Sequence, residues 1–176
     1  MNTRAFTLIE TMVAVTILTL AVTGALFTAN RAIVAAQSAR DRLTASHLAQ
    51  EGIEHVRAMR DDEYLVPYPL NTADAWGNFL RGPISECRAP GICTLGIMQA
   101  GVLPLASCPD DADGGCTETF SLLSNGTSYR RTIQVVDAAP SPSGITTDVR
   151  VVSAVSWDFH GVLYSVSVND HLTPWQ

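Results

Sequence analysis

From Phe6 to Phe27 the chain carries a single ionisable side chain, Glu10, in an otherwise uncharged and largely apolar run. As a helix that run rises about 33 Å, close to the thickness of a bilayer's hydrocarbon. A secretory signal peptide has a shorter apolar core with a small-residue cleavage site after it. Here a short polar leader, residues 1–5, comes before the run instead. A carboxylate inside a spanning segment costs about 2.5–3.5 kcal/mol unless it is paired. Glu10 therefore has two readings: an interfacial acid that snorkels toward the headgroups, or a charge that waits for a partner. A cut between Ala5 and Phe6 creates a new α-amino group near Glu10. Along one helix the two groups are axially separated, so the amine that meets Glu10 belongs to a neighbouring copy shifted along its axis.

At 176 residues the chain is one small domain plus an anchor. About 110 residues follow the helix, enough for one compact core. The formal net charge is −6, which argues against bulk electrostatic binding of nucleic acid. Arg4 precedes the anchor, whereas Arg31, Arg40 and Arg42 follow it. Charge counting near the anchor favours the reverse orientation, but a long C-terminal domain translocates largely regardless of charge.

One long helix is predicted from Phe6 to about Asp61, because Pro67 is the first proline and helix formers dominate. Its first half is apolar all round. From Arg31 it turns amphipathic, with Ile33, Val34, Leu43, Leu48, Ile53, Val56 and Met59 as the expected apolar stripe. Gly24 and Gly52 are its weak points, each costing about 1 kcal/mol relative to Ala. Asp61-Asp62 and Pro67/Pro69 end the helix, and residues 63–116 read as loop-rich, anchored by Tyr64, Tyr68, Trp76 and Phe79. Strand signals follow at 117–123, 128–137 and 147–159. A return strand from Val162 makes a hairpin around Phe159-His160-Gly161. The fold class is α+β: a long helix whose apolar face packs on an antiparallel sheet of three or four strands.

The four cysteines, Cys87, Cys93, Cys108 and Cys116, argue for disulfides in an oxidising compartment. Three connectivities are open; Cys87–Cys93 with Cys108–Cys116 is favoured because each closes a short loop. Zinc is the lesser reading, since the spacings are not those of a ribbon. His47, Glu51 and His55 share a helix face, but ordinary i,i+4 contacts on a solvated face explain them. Asp111 and Asp113 match only the first two positions of a calcium loop, so a surface turn is the better reading. Asn125-Gly-Thr127 fits a sequon and, better, a strand turn. No nucleotide-binding loop, nucleophile elbow or triad stands out, so neither catalysis nor a cofactor is expected.

Met1-Asn-Thr-Arg-Ala5 followed by Phe6-Thr-Leu-Ile-Glu10 resembles the class III signal of type IV prepilins and type II secretion pseudopilins. Ala5 stands where that family carries Gly. The resemblance implies that a membrane aspartyl peptidase, the prepilin peptidase, cuts before Phe6 and methylates it, and that Glu10 then assists assembly. Leu48-Ala-Gln-Glu-Gly-Ile-Glu54 with Val56-Arg57, the late hairpin and Trp175 resemble PilV-type minor pilins. A pilin fold follows, divided as 1–5 leader, 6–30 transmembrane and filament-core helix, and 31–176 head. The implied protein is a minor pilin-like subunit of a type IV pilus or related filament. Its partners are the prepilin peptidase, other pilin subunits, the inner-membrane assembly platform and, before assembly, the lipid bilayer. It is inserted in the inner membrane with its N-terminus cytoplasmic, then moves to an extracellular or periplasmic filament. A pseudopilin of type II secretion, or an anchored binding module that never polymerises, are the alternatives.

Overall fold

The computed structural model describes residues 7–65, 74–95, 104–108, 118–121, 127–138 and 146–174. Helix α1 runs Leu8–Leu65 without a break. It is shared between two compact units, Met1–Asp41 and Arg42–Gln176.

In the first unit every residue from Thr7 to Gln37 is exposed. Its threonines nonetheless keep their hydroxyls within the helix. Thr11, Thr16, Thr19, Thr23 and Thr28 donate to carbonyls of Leu8, Val13, Thr16, Thr19 and Ala25 at 2.7–2.9 Å. Such back-bonding hides the polar hydrogens of residues 11–28, whose other side chains are apolar. An 18-residue window here reaches a mean hydropathy of 2.1, and the helix is long and apolar enough to cross a membrane.

In the second unit α1 packs on a six-stranded antiparallel sheet. The strands are β1 (Cys93–Leu95), β2 (Leu105–Ser107), β3 (Glu118–Ser121), β4 (Ser128–Asp137), β5 (Val149–Phe159) and β6 (Val162–Leu172). The order is β2-β1-β4-β5-β6, with β3 also paired to β4. The α+β reading therefore holds. The three or four strands expected correspond to β3–β6; β1 and β2 come from the segment read as loop. That segment also holds a short helix α2 (Ala75–Arg81) and a 3-10 turn (Ser85–Cys87). Elements of three to seven residues are too short to show a readable hydrophobic period, and tertiary contacts make them.

Helix α1 also continues four residues beyond its expected end at Asp61. Arg60 pairs with Asp61 at 2.8 Å, and Tyr64 packs against the larger core cluster. These contacts offset the unfavourable placement of acids in a last turn that has no basic residue.

The stripe that α1 buries differs from the one expected. Ala45, Ala49, Gly52, Ile53 and Val56 are buried, whereas Ile33, Val34 and Leu43 are exposed. Leu48 and Met59 are only partly covered. Small residues win because the helix backbone approaches the sheet closely. A Cβ on Gly52 would lie 2.5 Å from Ser153 Oγ, so this glycine is a packing requirement rather than a weak point.

The core has two clusters. Ala45 and Ala49 meet Tyr129, Val155 and Trp157. Ile53 and Val56 meet Trp76, Phe79, Leu80, Ile84, Ile133, Val135, Val149, Val151 and Leu172. Helix α2 reaches that core through a cap and an anchor. Asp74 caps it by accepting from the Gly77 N–H at 3.0 Å, and Trp76 Nε1 donates to Thr146 O at 2.6 Å. The β5–β6 hairpin turns at His160 and Gly161, both at positive φ (55° and 77°). That is the type I′ geometry matching the twist of its strands.

Candidate functional site

The N-terminal end of α1 carries the sequence motif. Phe6, like Ala5, lies outside the described residues. Thr7 is the residue before the helix, and its carbonyl accepts from the Glu10 N–H at 3.0 Å and from the Thr11 N–H at 3.2 Å. Its Oγ1 also lies 3.4 Å from the Glu10 N. Thr7-Leu8-Ile9-Glu10 thus has the spacing of a capping box, with threonine at the N-cap and glutamate at N3. The sequence reading missed this, although T-x-x-E before an apolar run is its signature. Glu10 sits in the first turn, where the partial positive charge of the helix terminus favours a carboxylate. It is exposed, and no ion pair to it is found among the described residues.

In the head, polar groups fasten α1 to the sheet. Arg131 on β4 is almost wholly buried, at 1% exposure. Its Nη1 donates to the Leu48 carbonyl at 2.9 Å and to Glu51 Oε2 at 3.1 Å. Strand alternation places Arg131 on the face of Tyr129, Ile133 and Val135, although the reading of 128–137 as a strand did not single it out. Ser153 Oγ, opposite Gly52, is buried with no hydrogen-bond partner among the described residues.

Three further arginines of α1 meet β6 and the residue after it. Arg42 lies over the Tyr164 ring at 5.8 Å, Arg57 pairs with Asp170 at 2.7 Å, and Arg60 Nη1 donates to Thr173 O at 3.5 Å. The hydrogen bond to Asp170 raises the Arg57 pKa further above its ordinary value, with Glu54 adding to it and burial opposing it. Asp74 shifts the other way: the Arg81 guanidinium first, then the Gly77 N–H, hold its carboxyl below the ordinary range.

Cys87 and Cys93 form a disulfide. The loop they close is not free of regular pairing, as the sequence suggested. Arg88 bridges to Val135, the Ala89 N–H donates to Val135 O at 2.8 Å, and Cys93 pairs with Ile133. Arg88 also pairs with Asp137 at 2.6 Å. The bridge therefore joins two points already seated along β4. Cys108 is disulfide-bonded as well. Cys116 and the calcium candidates Asp111 and Asp113 lie outside the described residues, as do Tyr68, Asn125 and Trp175. Glu51, one of the His47–Glu51–His55 set, is engaged by Arg131. No group of three or more metal-ligating side chains is assembled among the described residues.

A cleft of about 460 Å³ lies between the end of α1 and the disulfide region, lined by Met59, Asp62, Glu63, Glu86, Cys87 and Leu105 among others.

Comparison with curated proteins and with solved structures finds no match. Residues 1–26 match the family model of the prokaryotic N-terminal methylation motif. That signal points to a structural subunit, implies processing by the prepilin peptidase and assembly with other pilins, and with the apolar helix fits inner-membrane anchoring. With its match at residues 1–26 and a long helix packed on an antiparallel sheet, the chain carries a type IV pilin-family signal on an α+β fold consistent with the pilin fold.

Proposed function

We propose that the chain is a minor-pilin-like subunit of a type IV pilus or related filament. It is cut between Ala5 and Phe6, held in the inner membrane by residues 6–30 with its N-terminus cytoplasmic, and passed by an assembly platform into the fibre. Residues 31–176 form the head in an oxidising compartment, where Cys87–Cys93 and the bond at Cys108 persist.

One observation carries this reading. The methylation motif opens a helix on which Leu8, Ile9, Met12, Val13, Val15, Ile17, Leu18, Leu20, Val22, Leu26 and Phe27 are all exposed. An apolar surface of that extent needs cover. Lipid supplies it before assembly and neighbouring helices supply it afterwards. Glu10 then offsets the amine of a neighbour's Phe6, an attraction far stronger in a low dielectric than in water.

The capping box supplies a competing local role, and one pair of variants separates the two. Glutamine serves in a capping box as glutamate does but carries no charge. Glu10→Gln and Glu10→Ala are both expected to insert in the membrane and to be depleted from sheared fibres. Normal incorporation of Glu10→Gln would reduce Glu10 to a cap. Mass spectrometry of the native N-terminus checks processing: the expected chain starts at N-methyl-Phe6, and a retained Met1 or Asn2 overturns the assignment.

A further inference from the structure

Among the described residues the sheet ends at β2 on one side and at β6 on the other. Every step from β2 through β1, β4 and β5 to β6 is antiparallel. Four such steps leave β2 and β6 running in the same direction. Among the described residues no strand occupies the outer side of either.

Of the usual devices that blunt an edge, β6 carries one inward charge, Asp170, which is paired with Arg57 of α1. Val162–Leu172 contains no Pro, Arg or Lys, and its register with β5 runs unbroken from Phe159↔Val162 to Val149↔Leu172, so no bulge turns it away. The two-residue turn makes Phe159↔Val162 a hydrogen-bonded closing pair. Alternation then directs the N–H and C=O groups of Leu163, Ser165, Ser167, Asn169 and His171 to the outer edge. β2 is short, Leu105–Ser107, and uncharged, with Ala106 and Ser107 exposed. Ala106 pairs with Thr94, which lies between the buried Cys93 and Leu95. Ala106 is therefore on the face of the sheet away from α1. Ser167, exposed between the half-buried Val166 and Val168, is on that same face.

The helix decides what such an edge can accept. Arg42, Arg57 and Arg60 meet Tyr164, Asp170 and Thr173 in that order, so α1 in the head runs in the direction of β6. Two copies joined β6 to β6 by a two-fold axis would pair antiparallel and oppose their helices. Copies anchored in one membrane, or packed in one fibre, have helices that point the same way. Pairing of β6 with β2 of another copy is parallel and keeps them so.

We propose that β6 of one copy pairs in parallel with β2 of a second copy, continuing the sheet head to tail. This rests on the filament-subunit reading. The contact uses two different surfaces, so it is the open kind that propagates rather than closes. A three-residue partner strand makes few hydrogen bonds, and the contact relies on the shared membrane or fibre to hold the heads near one another.

The test uses full-length chains co-expressed in membranes, one carrying Ala106→Cys and the other Ser167→Cys, treated with a short bifunctional thiol reagent. A mixed dimer several-fold above that given by Ala106→Cys with Ala154→Cys, on the same face of the central strand β5, supports the proposal. A dimer from Ser167→Cys alone indicates two-fold pairing and overturns it. No dimer, in cells whose sheared fibres contain the chain, also overturns it and leaves the filament role standing. Absence of the chain from sheared fibres overturns that role separately.

Discussion

The two ends of one helix obey opposite rules. Up to Gln37, α1 presents large aliphatic side chains and buries none of them. From Ala45 to Val56 it buries a stripe that is small at first, Ala45, Ala49 and Gly52, before Ile53 and Val56 enter the core. The difference shows that hydrophobicity alone does not mark the face a helix turns to its own fold. Size does: against the sheet the backbone comes close, so small residues are required at Ala45, Ala49 and Gly52, whereas the exposed segment carries bulk.

The sharpest way to break this comparison is a matched pair of truncations. Phe79 is fully buried, and Phe79→Ala is expected to cost the head about 3–5 kcal/mol. Leu18 is exposed, and Leu18→Ala is expected to change head stability by less than about 0.5 kcal/mol. Denaturant unfolding of the full chain in detergent, followed by Trp fluorescence, reads both. A comparable loss for Leu18→Ala would mean that the first unit is not energetically separate.

Gly52 tests the size rule directly. Gly52→Ala places a Cβ against Ser153 Oγ and Arg131 Cδ and is expected to destabilise by about 1–3 kcal/mol. Combining it with Ser153→Gly removes the closest contact and should recover part of the loss. If Gly52→Ala instead stabilises, as at an exposed helix position, the close approach is wrong.

The Arg57–Asp170 pair is a smaller effect. Both side chains are more than one-third exposed, at 39% and 35%. Solvent screening therefore limits the coupling to about 0.2–1 kcal/mol. A double-mutant cycle with Arg57→Met and Asp170→Asn should give that value in low salt and less in high salt. A salt-independent coupling would contradict the picture of a screened pair.

The smallest effect follows pH. The Asp74 carboxyl is held below its ordinary value of 3.8 by Arg81 and Gly77. Its cap on α2 is thus fully present above that value and is lost as pH falls through the lower folded one. The protection of the Gly77 amide, taken relative to the intrinsic exchange rate at each pH, should fall only below about pH 4. A fall in that protection between pH 5 and 7 would assign it to another group.

Alternation made β4, β5 and β6 legible, because each is at least ten residues long and half-buried. The bilayer-length run made the first unit legible for the same reason: its pattern is long. The short elements were not legible. α2 and β1 depend on Trp76, Phe79 and Cys93 finding a core built mostly by residues far away in the chain. At the candidate site, Glu10 was visible as an isolated carboxylate. Its capping box was equally visible in the spacing Thr7-x-x-Glu10. Arg131 was hidden because a charged residue at an alternate strand position reads as an error until the Leu48 carbonyl and Glu51 are seen to meet it.

Sequence alone determined the bilayer-length apolar run, the methylation motif and the helix-then-sheet order. These follow from charge absence, spacing and period, which are local. Only the tertiary structure decided which face of α1 turns inward, what Gly52 is for, and that β2 and β6 end the sheet pointing the same way. Those depend on how closely two backbones approach and on the parity of strand pairings, quantities that no single segment contains.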